Sequence, residues 1–509
     1  MVRQFVKYNP AFLDSSQLVE NFVVRQNDLR MIMRIIHENS AESNQHVLVI
    51  GPRGSGKTTL VRRVAVEVGR DESLDKVWYP LVFAEESYNA ISAADFWLEA
   101  IFHLAEQTGD SRWTEIYHEL RRDPDEQRLS ARALGQLLDF ADKIGKRILL
   151  VIENIDMLLS GFSNDDEAWT LRHTLMNEPR LMLLATAIAR FEQIDHPARA
   201  MFEMFRVHDL KALDDDECNA VWKLIAGAPL PDEQIRPIRI LTGGNARLIA
   251  LIARFGAKRS FRELLDDLVD LIDEHTDYFK SHLDNMASVE RKVYLALAEL
   301  WSLSSAREVA EAARLDVNTT SALLKRLVDR GKVLVEEKGK RKRWYRISEG
   351  IYSIYYLMRR RGGPSARVSA VVKFMVELYE ELPAAELVLD ESGKHMPGQY
   401  RAHRRKDEAL ADVMLFIDRQ AFPEESIGRA IEIFVELAAY GYAEDALHIL
   451  AGSHAEQHLE PLVAGLRLYC GREVNTAVEI LEVARDVVKR IEARKTQLQS
   501  TAGGGQPTA

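Results

Sequence analysis

An α/β fold, with a parallel sheet covered by helices on both faces and helical modules after it, is what this 509-residue sequence predicts. Three observations predict it. Gly51-Pro52-Arg53-Gly54-Ser55-Gly56-Lys57-Thr58-Thr59 lies between the apolar run His46–Ile50 and a helix-forming stretch from Leu60, the order strand, glycine-rich loop, helix. The runs Ile148–Ile152 and Arg180–Ala187 lack alternation and fit strands buried on both faces. Helical stretches separate these runs, as crossovers between parallel strands require.

Taken in order, Asn21–Leu29 leads into a helix whose Met31, Ile32, Ile35 and Ile36 share one face. Asp75–Phe83 reads as a second strand. Helices are expected over 93–108, from Trp113 to Arg122 and, past the breaker Asp123-Pro124-Asp125, up to Ile144. A helix from Glu167 to Asn177 precedes the last strand. Gly51, Glu153 and Thr186 all fall at the carboxyl ends of their strands, the ligand edge of such a sheet. From Asp214 to about Lys280 the sequence is helical, with breaks at 227–231 and Thr242–Arg247.

A different module follows. Helices Arg291–Leu300, Ala306–Arg314 and Asn318–Arg330 precede strands Lys332–Glu337 and Arg343–Ser348, which flank Lys338-Gly339-Lys340. Gly362-Gly363-Pro364-Ser365 reads as a linker, and the chain beyond it is helix-forming to about Ala493. Gly441–Leu450 resembles Gly471–Leu481 at an offset of roughly thirty residues, close to helical-hairpin repeats of the tetratricopeptide type. Thr501–Ala509 is expected to be a disordered tail.

Composition bounds the function. Apolar content of 47 % with 28 % charged residues is that of a soluble globular protein, and the length suggests about three domains. No run of about eighteen apolar residues occurs, and Met1-Val2-Arg3-Gln4 lacks the apolar core of a secretion signal, so a cytoplasmic protein without membrane association is expected. Cys218 and Cys470 lack metal spacing and read as reduced thiols. A net charge of −11 speaks against coating nucleic acid non-specifically, while leaving room for a local basic surface.

The chemistry centres on the loop. Its glycines let backbone N–H groups close around phosphate oxygens, Lys57 neutralises β/γ charge, and Thr58 can ligate Mg²⁺. ATP and Mg²⁺ are the expected cofactors, with Gly51, Pro52, Arg53, Gly54, Ser55, Gly56, Lys57, Thr58 and Thr59 as the phosphate site.

The motifs in this order resemble AAA+ ATPases, and among them the initiator-like (origin-recognition-like) and STAND signal-transducing groups with a winged-helix domain. Phe22–Leu29 resembles their adenine-side box, with Val24 where glycine is usual and Gln26 where glutamate is usual. Leu241-Thr242-Gly243-Gly244-Asn245-Ala246-Arg247 resembles the lid motif that ends in a sensor arginine. The resemblance covers about residues 20–360. It implies an α/β P-loop NTPase (AAA+) core over 1–212, a helical lid over 213–288 and a winged helix-turn-helix over 289–363. An all-α, repeat-like interaction domain over 364–497 and a tail over 498–509 complete the expected organisation.

The resemblance also implies roles. Phe22, Val23 and Arg25 would contact the nucleotide, Thr58 and Glu153 would hold magnesium, Thr186 would be a first sensor and Arg247 would reach the γ-phosphate. Arg190, Arg199 and Arg206 are the candidates to act across the interface of an ATP-bound homo-oligomer, a residue that signal-transducing relatives often lack altogether. A threonine in a buried strand is also simply a good β-former, and an arginine at a helix start also a solvated cation. The sequence departs from the family at the second acidic motif, where Glu153-Asn154 replaces the usual Asp-Glu and Asp156 follows. Glu153 can serve magnesium with a longer reach, whereas Asn154 can orient water but has no ionisable oxygen. Slow hydrolysis, with the nucleotide as a switch, is therefore expected. Asp156 is either a substitute base or the N-cap of the next helix.

Three helices and a two-stranded wing make a DNA-binding layout whose third helix enters the major groove. That helix opens with Asn318, Thr319, Thr320 and Ser321, followed by Lys325 and Arg326, and the wing carries Lys338, Lys340, Arg341, Lys342 and Arg343. Duplex DNA is the expected partner here, and a separate effector protein on the C-terminal helices. DNA transactions, mobile elements or phage defence are the processes this suits. The alternative is a signalling switch that senses a protein ligand and oligomerises with ATP without binding DNA. Asp390–Lys394 with Arg401–Glu408 mixes acids and bases as a nuclease does, but reads as a polar loop because its acids do not sit on consecutive strands.

Overall fold

The computed structural model describes residues 13–39, 44–83, 90–256, 261–266, 283, 286–338, 342–348, 350–359, 363–379, 413–414, 417 and 426–503. They divide into two compact units. The first takes in Met1–Leu213, Asn245–Leu248 and Val328–Gly331, and the second the remainder.

The first unit runs α1 (Ser15–Asn21), α2 (Gln26–Glu38), β1 (His46–Ile50), α3 (Lys57–Arg70), α4 (Glu72–Asp75) and β2 (Trp78–Val82). It continues through α5 (Ala93–Thr108), α6 (Ser111–Leu120), α7 (Glu126–Ile144), β3 (Arg147–Ile152), α8 (Ile155–Ser160), α9 (Asp165–Asn177), β4 (Leu181–Ala187), α10 (Glu192–Asp195) and β5 (Phe205–Asp209). The five strands pair in parallel in the order β2-β3-β4-β1-β5. Alternate side chains of each central strand enter opposite cores. Val47, Val49, Leu149, Val151, Met182 and Leu184 pack with Ile32 and Ile36 of α2 and Leu60 and Val64 of α3. Leu48, Ile50, Ile148, Leu150, Leu181 and Leu183 pack with Trp97 and Ile101 of α5 and Leu137 of α7. Burial on both faces is why these runs show no polar alternation.

Local chemistry sets the helix ends. Ser92 and Asp125 accept the N3 backbone N–H of α5 and α7, and Gly109 and Gly145 close those helices in the left-handed region. The strand β5 has a different origin from its neighbours. Its Phe-Arg-Val-His-Asp sequence is half-exposed at the sheet edge and is held by pairing with β1.

One buried group makes this unit sensitive to acid. His46 Nδ1 accepts from Leu183 N–H at 3.0 Å, so Nε2 carries the proton and meets Leu175 O at 3.1 Å. Burial pushes the imidazole from 6.5 down to about 4, opposed by the Leu175 bond. The unfolded chain therefore takes up this proton first. The contribution is complete above pH 6.5 and is lost as the pH falls towards 4, amounting to about 3 kcal/mol. Denaturant midpoints of this unit should fall across that window and fall less for His46→Gln, which cannot titrate. Equal slopes for both proteins would remove His46 as the cause.

The second unit contains α11 (Asp215–Ala226), α12 (Asp232–Thr242), most of α13 (Ala246–Gly256), α14 (Phe261–Asp266) and α15 (Ser288–Leu300). It then runs β6 (Ser304–Ser305), α16 (Ala306–Ala313), most of α17 (Val317–Asp329), β7 (Val333–Lys338), β8 (Lys342–Ile347), α18 (Gly350–Arg359) and α19 (Gly363–Tyr379). It ends with α20 (Ile427–Ala439), α21 (Ala443–Leu450), α22 (Glu460–Tyr469) and α23 (Val478–Gly503). Three helices and an antiparallel sheet ordered β6-β8-β7 make up the module from α15 to β8. Gly441 and Gly471, the start of each expected repeat, both adopt positive φ after a helix end. At Gly465 a Cβ would stand 2.9 Å from Val487 Cγ1, so this position lets α22 and α23 approach closely. The last helix continues through Gly503, past the expected start of the tail at Thr501.

Charged groups tie α12 to α23 within this unit. Arg236 Nε pairs with Asp486 at 2.9 Å and Nη1 with Asp215 at 3.2 Å, while Arg239 reaches Glu482. Tyr379 Oη donates to Asp486 at 2.7 Å. No described helix is long and apolar enough to cross a membrane.

Candidate functional site

The strand register brings the predicted residues to one edge. Ile50 pairs with Ala187 and Asp209, and Ile152 with Ala185, so Gly51, Glu153 and Thr186 emerge together at the carboxyl ends of β1, β3 and β4. The loop after β1 turns through Gly54 (φ 78°) and Gly56 (φ 94°), backbone that glycine adopts without strain. Gly56 leads α3 with no side-chain cap, so the first N–H groups of that helix face the loop.

Lys57 is buried, and its Nζ donates to Gly51 O at 2.6 Å and Pro52 O at 3.0 Å. Neutral carbonyls are modest partners for a buried ammonium, and an anion entering the loop offers a stronger one. A Cβ on Gly51 would meet Ser55 Oγ at 2.8 Å, and one on Gly54 would meet Asn245 Oδ1 at 2.6 Å. Ser55 Oγ is buried without a hydrogen-bond partner among the described residues. The loop therefore fits a phosphate chain, with Lys57 as counter-charge. Thr58 Oγ1 donates to Glu153 Oε2, an oxygen pair suited to a hard cation such as Mg²⁺. Pro52 and Thr59 are half-buried, and Arg53 is exposed.

The acidic turn has its own geometry. Asn154 adopts the left-handed conformation (φ 53°) as N-cap residue of α8, and its N–H donates to Thr186 Oγ1 at 3.0 Å. Thr186, 1 % exposed, thus holds the backbone of this turn. Asp156 lies inside α8 and is not its N-cap. Burial holds its carboxyl above the usual range, against nearby backbone N–H groups and the Lys57 charge, and Oδ1 has no hydrogen-bond partner among the described residues.

Three residues, Arg25, Asn245 and Arg247, donate to carbonyls of the loop. Arg25, also left-handed (φ 67°) and buried, donates from Nε and Nη2 to Ser55 O at 3.2 and 3.0 Å, and from Nη1 to Lys211 O at 2.7 Å. Phe22 is packed in the core of α2 and α3 beneath Arg63, and Val23 is half-buried. Asn245 Nδ2 donates to Arg53 O at 2.8 Å, while Arg247 N–H donates to Gly54 O at 3.1 Å and to Asn245 Oδ1 at 3.1 Å. Asn245 and Arg247 are therefore bonded to the phosphate loop itself. Sequence reasoning named Asn245 within its motif but gave it no role. Arg62, which pairs with Glu153 Oε1 at 3.4 Å, was passed over although it lies one turn from Thr58.

The three interface candidates differ. Arg190 pairs with Asp195 at 2.7 Å, Arg199 with Asp165 and Glu192, and Arg206 is exposed on β5. In the module from α15 to β8, Asn318, Thr319, Lys325 and Arg326 are exposed on α17 and Ser321 is half-buried. Thr320 is a correction to the set, because it is fully buried and its hydroxyl donates to Asp316 O at 2.9 Å. Arg343 is exposed on β8, and Lys338 pairs in register with Lys342. Lys340, Arg341 and the stretches 390–394 and 401–408 lie outside the described residues.

A parallel sheet with a glycine loop, lysine, threonine and acidic strand end at its carboxyl edge is the arrangement of a P-loop ATPase domain. Residues 21–186 match the family model described as AAA ATPase domain. No curated protein matches the chain. Among solved structures the chain is similar to the Walker-type ATPase paby2304 of Pyrococcus abyssi, with TM-score 0.46 and 13 % identity over 66 % of this chain and 96 % of that one. It is also similar to the Aeropyrum pernix Orc1 protein in complex with DNA, with TM-score 0.38 and 14 % identity over 67 % and 95 % of the two chains. Cdc6p from Pyrobaculum aerophilum gives TM-score 0.36 and 14 % identity over 72 % and 99 %.

Proposed function

We propose that this chain is an ATP-binding AAA+ ATPase that hydrolyses slowly and uses its nucleotide as a switch, contacts duplex DNA through a winged helix and engages a separate effector through its C-terminal helices. The nucleotide part rests above all on one observation, the bonding of Asn245 and Arg247 to Arg53 O and Gly54 O. Asn245 through its side chain and Arg247 through its backbone N–H would then feel what the loop holds. In the occupied site Lys57 and the loop N–H groups would hold phosphate, Thr58 and Glu153 would hold Mg²⁺, and Arg247 would face the terminal phosphate. The metal would supply charge neutralisation at the phosphates. Asn154 has no carboxylate to take a proton from water, which supports slow turnover.

The winged-helix part rests on the α15–β8 order and on the exposed Asn318, Thr319, Lys325 and Arg343. The alternative, an ATP-assembled signalling switch that binds no DNA, is supported by Arg190 and Arg199, both engaged by carboxylates of their own chain, because the signal-transducing proteins it resembles often lack an arginine supplied across the interface. Two measurements on the full chain test these readings. Single-turnover ATP hydrolysis should be slower than about 1 s⁻¹, and a faster rate would end the switch reading. Duplex binding should weaken steeply with salt, and replacing Lys338, Lys342 and Arg343 by alanine should flatten that slope. Absence of duplex binding would favour the signalling reading.

A further inference from the structure

Resting on the nucleotide reading above, we propose that Arg62 sets the magnesium threshold of the site by competing with the cation for Glu153. Thr58 and Arg62 are four residues apart on α3, and so lie on one helix face. Glu153, whose side chain is 2 % exposed, meets both. Thr58 Oγ1 donates to Oε2, and Arg62 Nε stands 3.4 Å from Oε1. The glutamate at the end of β3 thus arrives with one oxygen engaged by the hydroxyl and the other facing a guanidinium. A carboxylate that serves a divalent cation does so through its negative charge, and an arginine pairing with it offsets that charge. Its 19 % exposed side chain leaves Arg62 some room to withdraw towards solvent. Cation loading is then an exchange in which Arg62 gives up Glu153, so the site fills only above a magnesium level that Arg62 helps to fix. Arg62 acts through Glu153, which makes it a positioning residue.

The test reads binding, not turnover. A fluorescent ATP analogue is titrated with MgCl₂ on the full-length chain and on Arg62→Gln and Arg62→Lys. Arg62→Gln should lower the half-saturating magnesium concentration by about tenfold, with affinity for the metal-free analogue changed far less. Arg62→Lys keeps the charge and should stay near the parent. Equal magnesium midpoints for the parent and a folded Arg62→Gln would overturn the inference while leaving the nucleotide site standing. So would a higher midpoint in Arg62→Gln. If the parent binds no analogue at any magnesium concentration, the nucleotide reading falls, and this inference with it.

Discussion

Replacing Lys57 by alanine is expected to lower ATP affinity by at least about a hundredfold, the scale of losing one partner of a desolvated charge pair. Lys57 is buried against Gly51 O and Pro52 O, so its ammonium is already placed in the loop before any ligand enters. Nothing else assigned to the loop carries a full positive charge behind the phosphates, because Arg53 is turned to solvent and Arg25 is committed to Ser55 O and Lys211 O. The fold should survive. Position 57 opens α3, where alanine is a good helix former, and the half-exposed loop lets water replace the lost donor. Calorimetric titration of ATP into both proteins, with far-ultraviolet dichroism as the folding check, decides the matter. Equal affinity would place the triphosphate elsewhere on the molecule.

Asn154→Glu is expected to raise the single-turnover hydrolysis rate by about a hundredfold, the lower end of what a positioned general base contributes. The structure also shows a backbone reason for asparagine here. With φ 53° and ψ 51° the residue is left-handed, a conformation that asparagine tolerates better than glutamate. The substitution should therefore cost about 1 kcal/mol of stability, while its N–H to Thr186 Oγ1 is kept. Asn154→Gln carries the same conformational cost without an ionisable group and should leave the rate unchanged. A rate unmoved by glutamate would mean that Asn154 does not limit turnover, and would return attention to Asp156. Equal gains from Glu and Gln would assign the effect to backbone geometry instead of proton transfer.

Much of this architecture is legible in the sequence. The strands at 46–50, 147–152 and 181–187 show as unbroken apolar runs because both their faces are buried. The helices at 93–108 and 126–144 carry their caps in the sequence, in Ser92, Asp125, Gly109 and Gly145. The strand at 205–209 could not be read this way. Half-exposed and charged, it owes its conformation to pairing with β1 and not to its own residues.

The site divides along the same line. Gly51, Lys57 and Thr58 form a local motif. Arg25 instead meets a carbonyl thirty residues on and another at Lys211, and Asn245 reaches back to Arg53. Thr58 and Arg62 share a helix face by spacing alone, but that face has no meaning until β3 delivers Glu153 to it. Distances in sequence of that size leave no periodicity to detect.

The charged ties between α12 and α23 bear on how this chain can be handled. Arg236 and Arg239, 22 % and 14 % exposed at the side chain, find Glu482 and Asp486 on the final helix. A version shortened before Val478 would leave Asp215 as the carboxylate shared by both arginines and would remove the buried Ile480, Val483, Val487 and Ile491 from the core of this unit. The terminal helix is thus no appendage to be trimmed for convenience. Fluorophores and purification handles belong beyond Gly503, where an attached group leaves those ties in place.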